Sequence, residues 1–200
     1  VAASTTRSME RCALATQPKQ LNADTRMRRR KQQCRLRTSN KGVAELLKNK
    51  DCLNFVKGVI HQVSKSTKNP FISDDPQEIL RGVLIDFSQQ YTNDGKPVAG
   101  RAYPRDIEYG IGSLGISPLV GTGILPQAAA YHYAETVLHE LIHFAGRGGN
   151  YSDRQLVRAI GEMGAVPKQY KKWFESFSGD PDENSGFFDA VLQFYCPRKD

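Results

Sequence analysis

Two of the four histidines in this 200-residue chain flank a glutamate in Glu135-Thr-Val-Leu-His-Glu-Leu-Ile-His-Phe-Ala-Gly146. On a helix, His139 and His143 are four positions apart and stack on one face. Two imidazoles placed this way can share one metal ion. Glu140 follows the first of them, where its carboxylate can address a water on that metal without being a ligand. His-Glu-x-x-His at helical spacing is therefore equipped for metal-assisted hydrolysis, with Glu140 as general base. At the chain's His and Glu frequencies, a chance match is on the order of a few per thousand.

The flanks are apolar. Val137, Leu138, Leu141, Ile142 and Phe144 surround the polar residues, so the helix is expected in the core. Burying two imidazoles and a carboxylate without partners is costly. The segment needs either a metal or a hydrogen-bonded pair of core histidines. Through His139-Glu140-Leu-Ile-His143 the sequence resembles the zincin metallopeptidases, over the active-site helix and the residues just after it. The resemblance implies an α+β, zincin-like fold, mainly helical, with a small irregular sheet. In that fold the active-site helix packs under the sheet, and an edge strand holds an extended peptide. It also implies Zn2+ as cofactor and a peptide or protein as substrate.

Two histidines leave a catalytic zinc one protein ligand short. The metzincin pattern HExxHxxGxxH keeps Gly146 here but would place its third histidine at 149, where the chain has Gly149. Met163 is then not a Met-turn on that pattern. Asp153 and Glu162 remain as acidic candidates. At about 100° per residue, with Asp153 at zero, Leu156, Val157, Ile160 and Met163 centre an apolar face near about 330°. Asp153 lies about 30° from that centre and Glu162 about 150° away, so Asp153 is the expected third ligand. Ser152-Asp-Arg-Gln155 also fits a capping box, in which Asp153 favours the helix dipole. His132 lies on the motif's face but about 10 Å away along the axis, too far to share the ion. Tyr151 is a candidate to stabilise an oxyanion; its alternative is packing. Glu135, one turn before His139, either orients that imidazole or is a solvated carboxylate.

The elements that must position these residues follow from the apolar pattern. Residues 42–66 read as one or two helices, through Val43, Leu46, Leu47, Leu53, Phe55, Val56, Val59, Ile60 and Val63. Ile79, Leu80, Val83, Leu84 and Phe87 continue with helical spacing. Asn93-Asp-Gly95 signals a turn. Residues 97–125 are rich in Gly and Pro and read as a small irregular sheet, with extended pieces at Val98–Tyr103 and Ile107–Ile111. Gln127 to Ala145 is free of Pro and Gly and stops at Gly146, a helix with its stop signal. A further helix is expected at Asp153–Met163, and a third element at Phe187–Phe194 closes the chain.

Charge divides the chain in two. Residues 1–41 carry 11 Lys/Arg against 2 Asp/Glu, so that net charge of +9 leaves −2 for the rest. The basic arm, 1–41, has too little apolar surface to offset ordering entropy and is expected to be disordered; residues 42–200 are then expected to form the zincin-like domain that the resemblance implies. The arm is either a solvated tail or a contact for nucleic acid or an anionic surface. The alternative to a peptidase is accordingly a non-catalytic zinc-binding protein that docks through its arm. No apolar run approaches the roughly 20 residues of a membrane span. Cys12, Cys34, Cys52 and Cys196 include no CxxC pair, which argues against a zinc knuckle. A Cys52–Cys196 bridge would clip the domain's ends together in an oxidising compartment; two free buried thiols fit the spacing equally well. Cysteine usage points towards export, and the lack of a signal segment points against it.

Overall fold

The computed structural model describes residues 40–67, 75–81, 83–87, 90–93, 95–103, 113–117, 126–144, 151–177 and 181–198. Most of the basic arm, the extended piece expected at 107–111, Cys12 and Cys34, and Gly146 and Gly149 lie outside these residues.

A helical segment over 40–46 leads into α1, Lys50–Thr67. Asn49 caps α1: its Oδ1 accepts from the Asp51 and Cys52 amides. Cys52, Phe55, Val56, Val59, Ile60 and Val63 recur every three or four residues and are all buried, giving α1 one apolar stripe. Of the one or two helices expected over 42–66, two are found.

The next region departs from its helical reading. α2, Pro76–Arg81, stops early, and Leu84–Asp86 forms strand β1. Side-chain burial explains the change of period. Ile85 and Phe87 point inward while Leu84 is 41% exposed, an alternation of two that matches a half-buried strand. The spacing of Val83, Leu84 and Phe87 mimics a helix over too few residues to separate the two periods.

Two small sheets follow. β2, Tyr91–Asn93, and β3, Lys96–Val98, form an antiparallel hairpin in which Asn93 pairs with Lys96. Gly95 has φ 78°, the left-handed backbone that an Asp-Gly hairpin turn requires. β4, Gly100–Tyr103, and β5, Ser113–Ile116, join β1 in a three-stranded sheet of order β1-β5-β4. β1 runs parallel to β5 and β4 antiparallel to it, so β4 is an edge strand. The piece read as Val98–Tyr103 is thus divided between two sheets. Arg101 Nη1 donates to the Thr92 carbonyl (2.8 Å), tying hairpin to edge.

α3, Pro126–Phe144, packs against β4 and β5 and also meets α1, α2 and the last helix. Residues 133–135 and 137–143 are all buried, as expected of a helix enclosed on every side. α4, Asp153–Glu162, opens with the expected capping box: Ser152 Oγ accepts from the Gln155 amide, and Gln155 Oε1 accepts from the Ser152 amide. A short helical stretch, the 3-10 turn Lys168–Tyr170 and then α5, Lys171–Glu175, went unread in the sequence. α6, Pro181–Tyr195, begins earlier than expected. Its start carries Pro181, Asp182 and Glu183, residue types favoured in a first turn. Phe187, Phe188, Val191 and Leu192 form its buried stripe.

A disulfide joins Cys52 on α1 to Cys196 just after α6, across 144 residues of sequence. Of the two cysteine readings, the bridge is the one found. Tyr131 on α3 donates to the Cys196 carbonyl (3.1 Å), and Tyr195 stacks on Phe55 with centroids 4.4 Å apart. The end of α6 is thereby fixed to both α1 and α3. The architecture is α+β and mainly helical. No helix among the described residues is long and apolar enough to cross a membrane.

Candidate metal centre

α3 brings His139 and His143 to one face, with ring centroids 4.8 Å apart and their Nε2 atoms 2.9 Å apart. The first residue of α4 completes a triangle. Asp153 Oδ1 lies 3.3 Å from His139 Nε2 and 3.2 Å from His143 Nε2. Asp153, not Glu162, therefore faces the histidines, as the helical angles predict. Glu162 is turned outward, where it accepts from Gln62 Nε2 (2.7 Å) and Arg158 Nε (2.8 Å). Met163 packs at Gly58 of α1, at the far end of α4 from Asp153.

The triangle has the proportions of a metal site. Donors about 2.0–2.1 Å from a tetrahedral zinc are about 3.3–3.4 Å apart, close to the 3.3 and 3.2 Å from Asp153 to the two imidazoles, while the imidazoles are nearer each other at 2.9 Å. Asp153 Oδ1 is buried and makes no hydrogen bond of good direction, while both imidazole Nε2 atoms lie at ion-pair distance from it. A buried carboxylate oxygen needs a positive partner, which a cation between the three donors or a protonated imidazole can supply. Among the described residues, His139, His143 and Asp153 form the one group of three or more such side chains whose donor atoms converge.

Each imidazole is held from behind. His139 Nδ1 donates to Asp189 Oδ1 at 2.6 Å, and Phe188 meets the same ring edge-to-face at 4.9 Å. His143 Nδ1 donates to the Tyr151 carbonyl. With both Nδ1 atoms engaged as donors, both Nε2 atoms are turned towards Asp153, where each can bind a metal once it is unprotonated. Asp189 was not singled out in the sequence. The local signal is an acidic residue inside the apolar run Phe187–Phe194; what it pairs with lies fifty residues away.

The electrostatics match the packing. Burial alone would raise the Asp153 carboxyl, but the two imidazoles beside it hold it well below the usual carboxylate range. Burial alone would lower His139; the carboxylates of Asp189 and Asp153 override it, so without a metal the ring holds its proton well above the usual range. Glu140 is only 8% exposed. Burial pushes its carboxyl up, against the opposing pull of His139 and His143. A carboxylate raised in this way is a better proton acceptor near neutral pH. Its side chain lies against Gly100 of edge strand β4.

Three other residues fall out differently. The Tyr151 side chain is buried at 2% exposure, and its hydrogen bond to the centre comes from its backbone carbonyl. Glu135 is neither solvated nor the partner of His139. It is buried, and burial raises its carboxyl, with hydrogen bonding to Gln193 opposing; Asp189 holds the imidazole instead. His132 is exposed, its Nδ1 3.4 Å from Glu135 Oε2, and contributes nothing to the triangle.

No protein-family model, curated protein or solved structure matches the chain.

Proposed function

We propose that the chain is a zinc-dependent peptidase, an endopeptidase with a zincin-like arrangement of active-site helix and edge strand. One observation carries the reading: three donor atoms from α3 and α4 converge at ligand spacing, with Glu140 on the next residue of the same helix. Two imidazoles and one carboxylate suit zinc. Among the described residues the donors number three, and not the four of a closed structural site, which leaves a position for water or substrate.

The chain's own residues then divide the work. His139, His143 and Asp153 hold the ion; Asp189 and the Tyr151 carbonyl fix the two rings. Zinc supplies a Lewis acid and lowers the pKa of a water. Glu140 takes a proton from the attacking water and delivers it to the leaving amine. β4 is the outer strand of the sheet among the described residues, the position at which an extended peptide can add to a sheet by backbone hydrogen bonds. That brings the peptide next to Glu140, which touches β4 at Gly100. The Cys52–Cys196 bridge fits maturation in an oxidising compartment.

Metal analysis by mass spectrometry tests the reading. Wild type is expected to hold about one zinc per chain, and His143→Ala and Asp153→Ala to hold almost none. Glu140→Gln is expected to keep the zinc and lose about 10²–10⁴-fold of peptide hydrolysis. Wild type without zinc, or hydrolysis untouched by Glu140→Gln, defeats it.

A further inference from the structure

β4 contains a glycine where no backbone angle demands one. Among the described residues, positive φ occurs at Gly95 and Gly164 and not at Gly100. Glycine inside a strand weakens it and often marks a close approach. Here the approach is to Glu140. A Cβ added at Gly100 would lie 2.5 Å from Glu140 Cγ, 2.7 Å from Oε1 and 2.9 Å from Cδ. Carbon atoms in good contact are about 3.5–4.0 Å apart, so something must move. The α3 backbone is poorly placed to give way, because Val137, Leu138, Leu141 and Ile142 are completely enclosed. β4 is held along its length by β5, with Gly100 opposite Ile116 and Tyr103 opposite Ser113. The movable part is the Glu140 side chain.

We propose that Gly100 is a positioning residue: by presenting no side chain, it lets the edge strand lie against Glu140 and sets where that carboxylate sits beside the His139–His143–Asp153 centre. The inference rests on the peptidase reading for its effect on rate, and on packing alone for its effect on Glu140. The three atoms that a methyl group at Gly100 meets first all belong to Glu140. The methyl group also leaves the strand's N–H and C=O groups in place for a peptide to pair with.

The test compares Gly100→Ala with wild type in the zinc-loaded 200-residue chain. It then repeats the substitution in a Glu140→Ala background, where the space beside the strand is open. Gly100→Ala is expected to keep about one zinc. Its kcat is expected to fall about ten- to hundredfold, the scale of a misplaced catalytic group, with a smaller change in KM. Its loss of thermal stability is expected to shrink or vanish in the Glu140→Ala background, as for residues in direct contact. An unchanged kcat overturns the proposal. So does an equal loss of Tm in both backgrounds, which would mean general damage to the strand. If wild type cleaves no peptide, the peptidase reading fails on its own. The thermal comparison then still decides the positioning: coupling to Glu140 supports it, and its absence overturns it.

Discussion

The two imidazoles of the centre are anchored by different kinds of group. His143 leans on a backbone carbonyl, that of Tyr151, eight residues along the chain. His139 leans on a side chain, Asp189, fifty residues away on α6. The first anchor is local and indifferent to residue type, since every residue supplies a carbonyl. The second is specific and remote, and depends on α6 being docked. The Asp189 anchor also brings charge: with Asp153, it raises the proton affinity of His139, which a neutral carbonyl cannot do to the same degree. One half of the centre is therefore built by chain geometry. The other is built by tertiary packing, and the two should respond differently to perturbation.

The largest separation is expected at Asp189. Asp189→Ala should weaken zinc binding by about 10–100-fold, the range for removing an outer-shell partner of a ligating histidine. Competition with a chelator of known affinity measures it. An unchanged affinity would mean that packing by Phe188 alone orients the ring.

Acid should act on the same half next. Zinc must displace a proton from His139, whose folded pKa is raised, so affinity should climb by up to about tenfold per pH unit while that proton is present. It should level off once pH passes the raised value. The metal-free protein should show the opposite trend. The pairing of protonated His139 with Asp189 and Asp153 contributes its full stability below the ordinary histidine pKa of about 6.5 and loses it as pH rises through the folded value. Proton release on zinc binding, followed by calorimetry in buffers of different ionisation heat, should fall towards zero on the alkaline side. Release that stays constant with pH would break the asymmetry.

The disulfide supports only the remote anchor directly, because it holds the end of α6 to α1. In the chain-entropy account, a loop closed across 144 residues is worth about 5 kcal/mol. Replacing both Cys52 and Cys196 by Ala should lower stability by several kcal/mol in denaturant unfolding. It should weaken zinc binding less than Asp189→Ala does. A stability loss near zero would mean that Phe55, Tyr195 and the core already hold α6. The smallest effect is expected at Tyr151. Tyr151→Phe keeps the carbonyl, so zinc affinity should stay unchanged. A large fall in kcat with zinc retained would restore the oxyanion role that the sequence allowed for its phenol.

The contrast between local and remote also separates what could be read in the sequence from what could not. His139, Glu140 and His143 declare themselves through one helical period in an apolar run. Asp153 could be preferred over Glu162 because both sit on α4, and the angle between them is fixed by the helix. Asp189 could not be paired with His139, since no period in α6 points to a partner on α3. Glu135 looked solvated because its burial depends on α6 covering it. β1 was misread for a related reason. Its residues fit a helix and a strand equally well, and only pairing with β5 decides between them. The two-residue hairpin at Asn93–Lys96 was legible because Asp94-Gly95 encodes the turn locally.

The bridge between Cys52 and Cys196 has one more consequence. α3, α4, the edge strand β4 and Asp189 all lie between the two cysteines, inside a single covalent ring. One cut anywhere in that ring opens it without dividing it. A nicked molecule keeps His139, His143, Asp153 and Asp189 on one connected chain and migrates as two fragments only after reduction.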